Sequence, residues 1–200
     1  MVQGILAMGT WTIFFTMLEH MGKEELEISH TLRNLYFIAF VPFFGFGATT
    51  KTMVSNFIGA GKQAELNLLI KRIVILNVIF LFITMHGTWL YPEYIVKLIN
   101  PNMELIGKTV PLLRLISGSM LIFSITTILF NTVSGSGNTS VSMIIEFVAI
   151  ATYLVVAALL IYVFKTSLFY VWMVEYLYFI LIGVIAVLYL KKSNWKFKTV

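Results

Sequence analysis

Apolar residues along the chain gather into six runs separated by short polar stretches, at 2–18, 32–58, 73–92, 111–134, 141–164 and 168–190. Each approaches the ~20 residues that a helix needs to cross the hydrocarbon core of a bilayer. Backbone groups in lipid must be bonded within their own segment or in a closed barrel, and the runs lack a ten-residue alternating pattern. All six are therefore predicted to be helices. The first carries no charge and has neither a basic leader nor a small-residue cleavage pattern, so it reads as a span and not as a removable signal. The second has its charge-free centre at 35–50. The longest connection, 93–110, reads as a short polar crossing limited by Pro92 and Pro101, with no room for a soluble domain.

Composition strengthens this reading. Of 200 residues, 59% are hydrophobic and 12% charged, where soluble domains average roughly 25% charged. The chain is expected to be an all-α polytopic membrane protein. Cysteine is absent, so disulfides and thiolate metal sites are excluded. The net charge of +5 does not point to nucleic acid, because the basic residues lie scattered at the ends of apolar runs instead of forming one stripe.

Those charges orient the bundle. With the N-terminus inside, the inner segments hold Lys62, Lys71, Arg72, Lys191, Lys192, Lys196 and Lys198, against Lys23, Lys97, Lys108 and Lys165 outside. This excess places both termini in the cytoplasm and the protein in the inner (plasma) membrane. Trp89, Tyr91, Tyr94, Tyr170 and Trp172 fall near the outer boundaries, as an aromatic belt requires.

The stretch "FNTVSGSGNTSVS" (130–142) has the composition of a phosphate loop but not its context. A Walker loop needs a preceding strand, Gly-Lys-Ser/Thr and a following helix. Here an apolar helix precedes, no lysine follows, and no charge occurs between Leu115 and Ile145. It is predicted to be an inner turn, with Gly135 or Gly137 closing one helix and Asn138, Thr139 or Ser140 capping the next.

Polar groups inside the spans are costly in lipid and face a protein interior or an aqueous cavity. Glu146 lies shortly after the inner turn, and Glu175 about two turns into the last run. Each is a candidate for proton or cation coupling. The alternatives are solvation at the inner interface for Glu146, and pairing with an interior arginine or hydroxyl for Glu175. Arg33 and Arg114 sit at outer ends and suit snorkelling. Lys51, after "FGATT", either snorkels inward or lines a cavity, and His86 reads as interfacial. In "VPFFGFGATT", Pro42, Gly45 and Gly47 predict a kink or hinge at mid-membrane, the alternative for the glycines being close static packing. No Ser/His/Asp set, metal-ligand spacing or HExxH pattern supports an enzyme, a resident cofactor or a bound metal.

Taken in order, "TWTIFFTMLEHMG", "SHTLRNLYFIAFVPFFGFGATTKTMVSNFIGAGK", "LFNTVSGSGNT" followed by "IIEF", and "VEYLYFILIG" resemble the C-terminal six-helix lobe of the MATE (multidrug and toxic compound extrusion) transporters. They are most similar to a subgroup from Bacteroidetes-type bacteria. The resemblance covers nearly the whole chain, and it implies one lobe of a twelve-helix antiporter. Such an antiporter exports small organic cations or amphipathic drugs against a proton or sodium gradient, by rocking two lobes about a central cavity. The chain is then expected to be a fragment or split half, inactive without an N-terminal six-helix lobe.

One departure matters. Sodium-coupled members that this chain resembles place an acid near the positions of Ala7 or Met8 and of Phe123, and none of these is acidic here. The interior acids that remain are Glu146 and Glu175, with Gln3, Asn34 and Asn131 as polar cavity candidates. Two other readings stay open. One is a lipid-linked saccharide flippase lobe of the same superfamily, which would need a more cationic cavity around Lys51, Arg33 and Arg114. The other is a non-transporting membrane scaffold.

Overall fold

The computed structural model describes residues 2–100 and 102–197. Its elements are α1 (Val2–Glu19), α2 (Lys23–Gly59), α3 (Leu66–Leu90), α4 (Pro92–Ile99), α5 (Ile106–Gly135), α6 (Thr139–Ala158), α7 (Leu168–Trp172) and α8 (Val174–Lys192). Short 3₁₀ turns precede α3 and α5, and a π-helical turn, Leu159–Val163, prolongs α6. No strand occurs among the described residues, so the fold is all-α.

Four helical stretches are long and apolar enough to span a bilayer: Gln63–Leu90, Met103–Gly135, Thr139–Val163 and Leu168–Lys192. The two halves of α2, Lys23–Ile38 and Phe40–Gly59, form a bent fifth, inclined at 42°. Proline at position 42 cannot donate the helix bond to the carbonyl of Ile38, and the bend falls on that turn. The 18-residue α1 occupies the place of the first predicted span. Leu68, Ile75, Leu76, Ile79, Phe82 and Ile83 of α3 are exposed, an apolar face that hydrocarbon solvates and water does not.

Contacts at the two ends of the bundle show how the helices alternate. At one end Glu24 is ion-paired to Lys108, and Asn100 donates to Glu27 Oε1 (3.1 Å) and Thr31 Oγ1 (3.0 Å). At the other, Trp195 packs with Val54, Ile58 and Leu66, and its Nε1 donates to the carbonyl of Leu190 (2.9 Å). These two groups are the segments that the charge pattern assigned to opposite sides.

The centre is α5, which packs against α2, α3, α4, α6, α7 and α8. Its buried face carries Ser117, Ser119, Ser124, Thr126, Thr127, Thr132 and Ser134, small residues that let helix backbones approach. The closest approach is at Gly135, where a Cβ would lie 2.5 Å from the carbonyl oxygen and 3.0 Å from the Cα of Lys51. Hydroxyls satisfy themselves on carbonyls of the preceding turn, as Ser117 does on Leu113 (2.7 Å) and Thr132 on Ile128 (2.8 Å). Two contacts reach across: Ser117 Oγ lies within hydrogen-bond distance of Thr88 Oγ1 (2.7 Å), and the carbonyl of Ser124 accepts from Asn77 Nδ2 (2.7 Å).

Two expectations are corrected. The connection 93–110 is not a plain polar crossing: Pro92 starts α4, which buries Val96 and exposes Tyr94 and Leu98. Proline is favoured at a helix start because its missing N–H is unused there. Helices also run beyond their apolar runs, so Lys71 and Arg72 lie inside α3, because helical hydrogen bonding continues into the headgroup region. The last span, Leu168–Lys192, is helical throughout with a one-residue irregularity at Met173, so Glu175 lies about two turns into it.

Substituting Gly135→Ala should lower the unfolding free energy of the detergent-solubilised protein by about 1–3 kcal/mol, because Lys51 meets the new methyl with backbone that cannot turn aside. Gly45→Ala, where nothing lies within 4 Å, should leave it unchanged or slightly higher. Denaturant titration followed by circular dichroism measures both.

Candidate functional site

The inward face of α6 repeats at helical spacing through Ser142, Glu146, Ala149, Ile150, Tyr153 and Ala157, all buried, while Ile144, Phe147, Val148 and Val155 point outward. This periodicity, and not the polarity of the carboxyl group, carries Glu146 into the bundle. Glu146 is 8% exposed and Glu175 5%.

The two acids have different surroundings. Glu175 Oε1 accepts a hydrogen bond from the Tyr153 hydroxyl (3.0 Å), so its partner is a hydroxyl and not an arginine. An aromatic wall encloses that pair. Phe14 packs edge-on to Trp172 (5.5 Å) and beside Tyr153 (5.3 Å), and Tyr36 stacks on Trp172 (6.0 Å). Trp172 is held by a bond from its Nε1 to Ser29 Oγ (3.2 Å), and Tyr36 by one with Ser119 Oγ (3.2 Å). Glu146, by contrast, has an Oε2 with no hydrogen-bond partner among the described residues. Tyr178, one turn beyond Glu175, packs edge-on to Tyr153 (5.7 Å).

A second junction joins α2 to α5. Asn131 is half-buried and donates from Nδ2 to the carbonyl of Thr127 (2.8 Å). It lies against Gly47, whose Cβ, if present, would be 2.7 Å from that Nδ2. Gly45 has nothing within 4 Å, so of the two glycines near the bend one is packed and one is open.

The remaining candidates do not join either group. Asn34 and Lys51 are exposed on α2, seventeen positions and so about 25 Å apart along the helix. Gln3 lies outside the residues whose side chains are described, as does Ala7. Arg33 is half-buried with its guanidinium 4.8 Å above the Phe15 ring, Arg114 is exposed, and exposed His86 bonds through Nδ1 to the carbonyl of Ile83 (2.7 Å). Met8 is exposed, and Phe123 is enclosed by Phe40 (4.9 Å), Phe43 (5.7 Å) and Phe179 (4.8 Å). At Phe123 rings fill the space a carboxylate and its ion would need.

Sequence reasoning passed over Asn77, fully buried in α3 with its Oδ1 unpaired among the described residues, although the rule that singled out Glu146 applies to it equally. It also passed over Tyr153, seven residues after Glu146 and so on the same face. The end of the bundle that holds the Glu24–Lys108 pair has a cleft of about 780 Å³ lined by His20, Glu24, Glu25, Lys108 and Lys165 among others, which no local pattern announces because residues far apart in the chain contribute to it.

With this geometry in view, comparison with protein families is decisive. The MatE family model matches residues 1–163. The chain belongs to the MatE family. The family is one of membrane transporters, and the buried acids are to be judged against that activity. The matched region takes in Glu146 and Tyr153 and ends before Glu175 and Tyr178. No curated protein matches the chain.

Replacing Tyr153→Phe keeps the ring packing on Phe14 but leaves Glu175 without its donor. The expected cost is on the order of 1 kcal/mol, and the double variant Tyr153→Phe, Glu175→Gln should recover part of it. Chemical denaturation of the four proteins forms the cycle that checks this.

Proposed function

We propose that this MATE protein acts as the C-terminal six-helix lobe of a cation-coupled multidrug exporter, and that Glu146 and Glu175 are its ion-coupling groups. The observation that carries the reading is two carboxylates buried between α6 and α8 in a family of transporters, where no structural ion pair accounts for either. An ionisable group held inside a membrane bundle is expensive, and ion pathways are where that expense is functionally required. The bend of α2 supports the same reading. Its two segments meet where the proline has removed a helix bond, so they rotate against each other at low cost as the lobe rocks.

In this proposal a six-helix N-terminal lobe is the partner and small organic cations or amphipathic drugs are the cargo. The coupling ion is a proton or sodium. The exposed stripe of α2 through Asn34, Phe37, Ile38, Val41 and Phe44 faces the shared cavity, and both termini are cytoplasmic in the inner membrane. A saccharide flippase would gather cations about one cavity. Arg33 and Lys51 lie eighteen positions, and so about 27 Å, apart along α2, so the exporter reading is preferred.

Cells expressing this chain with a complementary six-helix half should accumulate less of a fluorescent organic cation than cells expressing either half alone. Glu146→Gln and Glu175→Gln should each cut gradient-driven efflux roughly 5-fold or more, the scale of a coupling free energy of about 1–3 kcal/mol. Unchanged efflux in both variants at equal expression would remove the coupling role.

A further inference from the structure

We infer that the cleft at the Glu24–Lys108 end of the bundle binds one zwitterionic phospholipid with a primary-amine headgroup. Its phosphate lies on Lys165, its ammonium on Glu25, and the start of an acyl chain on the apolar floor. This site owes nothing to a coupling role of Glu146 and Glu175.

The level of the cleft in the membrane comes from the lengths of the spans. Thr139–Val163 and Leu168–Lys192 are 25 residues each, about 37 Å of helix against a hydrocarbon core of about 30 Å. Spans longer than the core carry their ends into the headgroup layers. Residues 164–167, which join these two, therefore lie at headgroup level, on the outer side in the topology proposed above. The exposed rings of Tyr162, Phe164, Phe169 and Tyr170 flank the junction, as side chains of an interfacial belt do. The junction supplies one wall of the cleft, and buried Ile28, Leu112, Ile161 and Leu168 supply its floor. A polar rim over an apolar floor, at this level, matches the two chemistries that a lipid presents. The volume of about 780 Å³ falls within the ~300–1,000 Å³ of small-molecule sites, enough for a headgroup while the remaining chains stay in the bilayer.

Charges of both signs line the rim. Glu24 and Glu25 come from the first turn of α2, Lys108 from α5, and Lys165 from the junction. Lys108 is committed to Glu24. Glu25 and Lys165 have no ion-pair partner among the described residues. Two carboxylates and two ammonium groups cancel, so an anionic headgroup meets repulsion from the acids and an organic cation meets repulsion from the lysines. A zwitterion satisfies both free groups at once. Phosphate is a charge-assisted acceptor for the lysine, and a primary ammonium donates to the carboxylate where a quaternary one has no hydrogen to give. His20 closes the side of the cleft: its Nδ1 meets the carbonyl of Thr16 (3.0 Å) and the Tyr162 hydroxyl (3.4 Å), tying the end of α1 to the π-helical turn.

The backbone at Lys165 supports the assignment. Its φ of 48° makes it the one non-glycine residue in the left-handed region among the described residues. It closes the helix that ends in the π-helical turn: the amide of Thr166 donates to the carbonyl of Leu160 (3.0 Å), and that of Phe164 to Leu159 (2.9 Å). Such a closure ordinarily places glycine at this position, which it fills without steric cost. A lysine held there against that preference, directly after a π-helical turn, is the kind of local strain that collects where a ligand is bound.

Native mass spectrometry of the chain, released from detergent micelles carrying equimolar phosphatidylethanolamine, phosphatidylglycerol and phosphatidylcholine, tests the site. One phosphatidylethanolamine should stay bound, preferred over either other lipid by roughly 10-fold or more, the scale of one charge-assisted hydrogen bond. Lys165→Gly removes the ammonium and suits the left-handed backbone. Its Tm in detergent should equal or exceed that of the wild type, while retention of phosphatidylethanolamine falls by a similar factor. Glu25→Gln should weaken phosphatidylethanolamine and leave phosphatidylglycerol unchanged or better held. Equal retention of the three lipids by the wild type, or undiminished phosphatidylethanolamine on Lys165→Gly, would overturn the site. A preference for phosphatidylglycerol would overturn it too, by showing a simple anion site, and phosphatidylcholine held as well as phosphatidylethanolamine would remove the bond to Glu25.

Discussion

Hydrocarbon offers no hydrogen bonds, so every polar atom that α5 carries through the membrane must find its partner inside the protein. Seven small hydroxylated residues are buried on this one helix between Ser117 and Ser134. Five of them bond a carbonyl of the preceding turn, and two of these five, Ser117 and Ser119, also meet Thr88 and Tyr36 on neighbouring helices. Because these side chains are short, α2, α3 and α8 approach closely, and at Gly135 the backbone of α2 is almost in contact. The association of the bundle thus follows from close packing and internal satisfaction, since apolar burial drives nothing between helices that lipid already solvates.

The same constraint shapes the surroundings of the two acids. Aromatic rings and Ser29, Ser119 and Tyr153 give each other their hydrogen bonds around Glu175, so that its carboxyl enters a closed and fully paired shell. Glu146 lies beside Ile145 and Ala149 on the buried face of α6, and its Oε2 has no hydrogen-bond partner among the described residues. Two identical functional groups thus receive unlike environments from one helix pair. That asymmetry is what a directional exchange of a cation would need.

Much of the architecture follows from the chain alone. Apolar runs of membrane length, charges at their ends and the glycine-serine turn at 130–142 require a helical bundle with alternating direction, because lipid excludes the alternatives. The proline of α2 places its bend for a reason confined to one peptide bond. The order of short motifs pointed to the MATE transporters before any contact was known. The helix α4 was not legible as a helix although Pro92 and Pro101 bound it, since eight residues make no apolar run of membrane length and packing of Val96 into the bundle holds it.

The candidate site divides along the same line. That Glu146 and Glu175 lie within membrane spans is a matter of sequence position and the cost of charge in lipid. That Tyr153 donates to Glu175, and that Asn34 and Lys51 stand apart from the acids, depend on which faces of α2, α6 and α8 turn inward. Those faces are set by how closely α5 admits its neighbours, a property of assembled backbones that no single stretch of residues contains. The chain by itself determined that acids would be buried in a membrane bundle; packing against α5 decided which partners they meet.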